Sequence, residues 1–221
     1  MSKALVWDKT GERLYETGVS KCALYPQSTD GSYPLGVAWN GITAVNKNPS
    51  GAEATALYAD NIKYLNILST EEFAATIEAY MYPDEFAECD GSAELLKGVK
   101  IGQQKRKAFG LAYRTELGND VEGTDLGYKL NLIYGALAAP SDESNSSVNG
   151  TPEAKTFSWS VSTTPVNVAG MKPTATVEID STKVDPKKMA AIEKVLYGDE
   201  NVDPRLPLPD EIKSIMEAVA L

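Results

Sequence analysis

Two glutamates, Glu78 and Glu178, each sit on the polar side of a short segment that alternates apolar and polar residues. A pair of strand-borne carboxylates is the arrangement that hydrolyses glycosides, one acting as acid and the other as base or nucleophile. The simpler use of such residues is as solvated or interface glutamates. The acidic run Asp84, Glu85, Glu88 and Asp90 offers oxygens to a calcium ion but lacks the alternating ligand spacing of an EF-hand loop. Trp7, Trp39 and Trp159 could stack on a sugar, yet each lies in a strand pattern, where core packing is the usual role. Cys22 and Cys89 are too few for a disulfide framework and read as small buried thiols.

The chain contains no histidine. That removes the commonest general base at neutral pH, the Ser-His arrangements and most zinc sites. No nucleophile elbow, phosphate-cradling loop or dinucleotide fingerprint occurs. Lysine or carboxylate chemistry is what survives, and neither catalysis, a cofactor nor a metal is expected. A net charge of −10 argues against the basic footprint of a tight nucleic-acid binder. With 221 residues and 43% hydrophobic content the chain can bury a sizeable core. Nothing near Met1 resembles a signal peptide and no apolar run approaches a membrane-spanning length, so synthesis in the cytoplasm without membrane insertion is expected.

The elements that position these residues read mainly as strands. Residues 4–16 suggest a hairpin turning at Asp8 to Gly11, and residues 19–25 and 36–45 suggest two further strands separated by a loop at 26–34. After a second loop at 46–51, Ile77, Ala79 and Met81 alternate with Thr76, Glu78 and Tyr80. Phe109, Leu111 and Tyr113 mark another strand, and Tyr128 to Tyr134 the next, with residues 116–127 as the connection. Alternation returns at Phe157 to Ser162 and at Thr174 to Ile179, whereas 140–150 reads as an exposed, variable loop. Helices come mainly at the end. Asp185 and Pro186 start one whose stripe is Met189, Ile192 and Leu196 and whose stop is Gly198. A stiff connector, 199–209, leads to a second helix with Ile212, Ile215, Met216 and Val219 on one face. A short helical element is expected near 84–89.

Between Lys63 and Lys97 the chain carries Glu71, Glu72, Glu78, Asp84, Glu85, Glu88, Asp90 and Glu94 and no cation; Lys97, Lys100, Lys105, Arg106 and Lys107 follow. Such blocks suit two solvated loops, pairing within the chain, or head-to-tail contact between copies.

The wording of ATALYADNIKY (54–64) and YPDEFAECDG (82–91) resembles the major tail proteins, or tail-tube proteins, of long-tailed, non-contractile bacteriophages and related prophages. The likeness continues in order through 110–136, 156–166, 174–186 and 206–211. It implies a mainly β fold of two packed antiparallel sheets, a sandwich or partial barrel, with a flanking helix and a C-terminal helical tail. The expected division is a tail-tube β domain at 1–184 and a helical extension at 185–221. It further implies a structural virion protein that stacks as hexameric rings into the tail tube. The implied partners are copies of itself, the tape-measure protein, and the tail terminator and initiator proteins, with DNA as a transient passenger. On this reading loops 26–34, 46–51 and 116–127 touch the next ring, 140–150 faces outward, and Glu78 lines the lumen. A cell-surface β-sandwich adhesin is the alternative, although it would call for a secretion signal or anchor.

Overall fold

In the computed structural model, which describes residues 4–148, 150–151 and 153–219, the strands are β1 (Tyr15–Pro26), β2 (Val37–Ala38), β3 (Ile42–Lys47), β4 (Ala54–Ala59), β5 (Ile62–Leu68), β6 (Ala74–Ala79), β7 (Ala93–Leu96), β8 (Val99–Ile101), β9 (Phe109–Asn119), β10 (Gly123–Ala138), β11 (Phe157–Thr163) and β12 (Thr176–Asp180). The helices are α1 (Ala87–Asp90), entered through a 3-10 turn at Asp84–Phe86, α2 (Pro186–Tyr197) and α3 (Pro209–Ala218). The fold is mainly β with antiparallel pairing, as the sequence leads one to expect.

Eight strands form one sheet, seven of them along the path β2-β1-β9-β10-β11-β6-β3 and β12 alongside β10. The two layers of a sandwich are therefore continuous through β10. That strand pairs with β12 from Lys129 to Ile133 and then with β11 from Ala136 to Ala138. The switch falls at Gly135, whose φ of +57° suits glycine, and a Cβ there would lie 2.2 Å from the Thr164 carbonyl oxygen. Its amide donates to the Tyr33 hydroxyl at 2.8 Å.

The β1-β9-β10 layer and the β11-β6-β3 layer enclose an aromatic core of Trp39, Phe86, Phe109 and Trp159, with Leu24, Ile77, Leu111 and Ile133 around it. Trp159 is 1% exposed, stacks on Phe157 and meets Phe86, Trp39 and Tyr82 edge-on. The opposite face of β9 and β10 is also covered: Ala112, Leu130, Leu132 and Tyr134 pack under α2, against Met189, Ile192 and Leu196. Burial on both faces is why residues 130–134 are almost uniformly apolar. Asp185 caps α2 by accepting from the Lys187 amide at 2.8 Å, and Tyr25 and Tyr134 donate to the Leu196 and Pro207 carbonyls at 2.8 and 2.9 Å. Helix ends and connector are thus tied to the sheet.

Five expectations need correction. Residues 4–14 form no strand; the turn before Gly11 exists, but the Gly11 amide and carbonyl bond Asp120 and Asn119 at the β9-β10 turn, which draws the chain away from a hairpin partner. Trp7 is consequently 74% exposed, unlike Trp39 and Trp159. Residues 36–45 break into β2 and β3 at Asn40 and Gly41, where Gly41 has a positive φ, so that Trp39 enters the core. β9 and β10 run through most of 116–127 and leave only a tight turn. Finally β6 ends at Ala79, and Met81 is exposed because its carbonyl accepts from Trp39 Nε1 while its side chain lies beyond the sheet.

Candidate assembly surfaces

β4 and β5 form an arm. Their two-residue turn, Asp60-Asn61, has φ of 53° and 63°, the left-handed pair that matches strand twist in a hairpin. Both faces carry large apolar side chains: Tyr58, Tyr64 and Leu68 on one side, Leu57, Ile62, Leu65 and Ile67 on the other, all exposed, Tyr58 and Tyr64 by about 70%. Among the described residues the arm packs substantially on no other strand or helix. An isolated two-stranded ribbon is marginal in water, and a cluster of this kind marks a contact surface.

The root of the arm is well built. Ser50 and Glu72 exchange two backbone hydrogen bonds of 2.8 Å, and the Glu53 amide donates to Ser69 Oγ at 3.1 Å. Gly51 has φ +84°, and a Cβ there would lie 2.1 Å from the Thr70 carbonyl oxygen. Only glycine allows the two chains to approach so closely at this point.

A second hairpin, β7-β8, exposes Leu95, Leu96 and Val99. The acidic and basic blocks meet beside it within one chain: Lys100 reaches Asp84 at 2.9 Å, Lys107 reaches Glu88 at 3.1 Å and Arg106 reaches Asp90 at 3.3 Å. Burial raises the Asp90 pKa, with Arg106 opposing it. Arg106 also donates to the Ala138 carbonyl at 3.0 Å, which fastens this region to β10. Three of the five cations of the basic block, Lys100, Arg106 and Lys107, thus pair within the chain.

Glu78 projects from the solvent face of β11-β6-β3, opposite the core. Its register neighbour on β11 is Ser158, and Thr76 lies between Ser160 and Asn46. Ser158, Ser160, Ser162 and Asn46 are exposed, and Asn48 donates to Thr76 Oγ1 at 2.9 Å. The result is a flat strip of small polar groups with one carboxylate and no cation among these residues.

Glu178 occupies a different setting. It lies on β12 opposite Asn131, at the mouth of the sandwich interior. Lys129 Nζ sits 2.9 Å from Glu178 Oε1 and 2.8 Å from Glu16 Oε2. Lys47 Nζ donates to Asn131 Oδ1 at 2.7 Å and reaches Glu178 Oε2 at 3.5 Å. Asn131 Nδ2 donates to Thr115 Oγ1 at 3.3 Å, whose hydroxyl donates to Glu16 Oε1 at 2.6 Å. The six side chains close a ring. Burial raises the Glu16 pKa, but hydrogen bonds from Lys129 and Thr115 and the charges of Lys129 and Lys47 outweigh it, so the net shift is downward. Lys129 is shifted upward, chiefly by its bonds to Glu16 and Glu178. Glu78 and Glu178 thus stand in different layers, and both Glu178 oxygens already hold lysines. The ring was not foreseen from sequence; its signal is Lys129 and Asn131 at inward positions of a strand that continues with Ile133.

Cys22 and Cys89 are free and buried, and burial pushes the Cys89 thiol up to about 12. Residues 140–148 are mostly exposed, with Glu143 paired to Lys155 at 2.7 Å. Among the described residues no helix is long and apolar enough to cross a membrane.

No family model matches the chain, and no curated protein does. Among solved structures it is similar to a chain of the anti-feeding prophage baseplate, determined by cryo-electron microscopy and 6-fold symmetrised. That match has a TM-score of 0.37 and 8% identity over 81% of this chain and 100% of the other.

Proposed function

We propose that this chain is a structural subunit of a phage-type tail, and that its copies associate as stacked rings into a tube through which genome DNA passes. The arm carries the reading. Among the described residues its apolar side chains find little cover, and a repeating assembly supplies cover to every copy at once while closing open sheet edges. The order of the sequence segments that resemble tail-tube proteins supports the same role.

The polar strip around Glu78 suits the wall facing DNA. Small hydroxyl and amide groups leave the duplex its water and ions, whereas a basic wall would release counterions and hold it. Glu78 is the lumen carboxylate of this proposal. The chain works as a scaffold and not as a catalyst, in the virion, with copies of itself, a tape-measure protein and tail-end proteins as partners. Net charge of −10 sets copies apart until enough surface is buried, on the order of 2,000 Å² or more for an obligate contact. Electron microscopy of the purified protein at rising concentration and salt is the test. Rings or tubes are expected, and dispersed particles throughout would overturn the proposal.

A further inference from the structure

The ring around Glu178 ties four mutually hydrogen-bonded strands of one layer to the end of β3 in the other. It takes Glu16 from β1, Thr115 from β9, Lys129 and Asn131 from β10 and Glu178 from β12, all in one layer, and Lys47 from the last position of β3 in the other. β1 and β3 are not hydrogen-bonded partners, so the sheet does not close on itself there. Immediately after Lys47 come Asn48, whose amide bonds the Ala74 carbonyl, and the Ser50-Glu72 bridge that starts the arm.

We propose that this ring is a charge latch: Lys47 clasps the end of β3 to the facing layer and so fixes the root of the β4-β5 arm, and loss of carboxylate charge releases it. Every member has a partner on both sides, so removing one charge leaves a neighbouring ion short of its counter-ion in a partly buried site. Beneath the ring lies Tyr113 of β9, 2% exposed, with a hydroxyl that has no hydrogen-bond partner among the described residues. Asp180 and Lys183 stand beside Lys129 and Glu16 but pair with each other at 3.2 Å.

The direction of the pH response follows from Glu16. Its folded pKa lies below the ordinary value of 4.5, so its contribution is complete above that value and disappears as the pH falls through the folded one. The latch is closed at neutral pH and opens in acid. The consequence for assembly, an arm whose root is set only while the latch is closed, rests on the assembly role proposed above.

Hydrogen exchange on dilute, unassembled protein tests the latch without reference to tubes. Lys47→Met and Glu178→Gln should each lower protection of the amides at 45–50 about tenfold at pH 7 while leaving 111–113 unchanged, the pattern of local opening. In wild type the same local loss, after correction for intrinsic exchange, should appear as the pH falls below 4.5 and be absent at pH 6. Near-ultraviolet dichroism from the buried tryptophans verifies the fold. Should Lys47→Met unfold, Glu178→Gln and the acid series on wild type still decide. Unchanged protection at 45–50 in a folded variant, or a uniform loss that includes 111–113, overturns the latch. A protein that never forms tubes yet shows the local loss keeps the latch and defeats the assembly role instead.

Discussion

The aromatic core and the β4-β5 arm use the same kinds of residue and meet opposite fates. Trp39, Phe86 and Trp159 are nearly inaccessible, while Tyr58, Ile62 and Tyr64 are each about two-thirds exposed or more. Both regions are ordered by backbone pairing, the core by a sheet of eight strands and the arm by two strands and a tight turn. In the core a side chain that leaves one strand face meets another layer at once; among the described residues neither face of the arm packs substantially on another strand or helix. Apolar content therefore does not by itself mark the interior. What distinguishes the regions is whether a second layer exists, and on the role proposed above that layer is, for the arm, another molecule.

This contrast can be broken at several points. Trp159→Ala removes the centre of the ring cluster and should destabilise by roughly 3–5 kcal/mol in denaturant unfolding. A loss below about 1 kcal/mol, the size of an ordinary surface change, would mean that the cluster does not hold the layers together. Gly135→Ala forces a side chain onto the Thr164 carbonyl at a positive φ, and a loss of about 2 kcal/mol or more is expected from clash and strain together, read from the same curves. Ile62→Ser with Tyr64→Ser should, by contrast, shift the unfolding midpoint by no more than an effect of about 0.5 kcal/mol, because neither side chain is buried, yet abolish association in sedimentation. A large stability loss would show that the arm packs on its own chain. Smallest in stability is Glu78→Lys, which should leave folding and tube formation intact. Tails carrying it should release DNA more slowly at low salt, with recovery as salt screens the added charge; unchanged release at low salt would remove Glu78 from the wall.

Much of this contrast was legible in the residues. Period-two alternation at 75–79, 109–113 and 157–161 located the core strands, and Asp185, Pro186 and Gly198 bracketed α2 nearly to the residue. The arm was harder to read. ATALYADNIKY shows strand propensity, but with apolar residues on both faces it lacks the inside-outside alternation that assigns a buried side, and Asp60-Asn61 is a hairpin turn without the usual glycine. The N-terminal segment misled for the opposite reason: Leu5, Val6 and Trp7 look like a strand but are left exposed once Gly11 is bonded at the β9-β10 turn. Glu178 was legible as a strand-borne acid and illegible as a ring member, because its lysines come from β10 and from β3, far apart in sequence and joined only when the sheet folds over at Gly135.

The most direct test replaces Ala54 to Leu68 with a short Gly-Ser link between Glu53 and Ser69, which are already hydrogen-bonded, and compares it with wild type by sedimentation velocity across concentration and salt. Wild type is expected to pass from monomer to rings or tubes, sooner at higher salt, while the armless chain stays monomeric with an unchanged unfolding midpoint. An armless chain that assembles as readily as wild type, or a wild type that stays monomeric under every condition, would contradict the account.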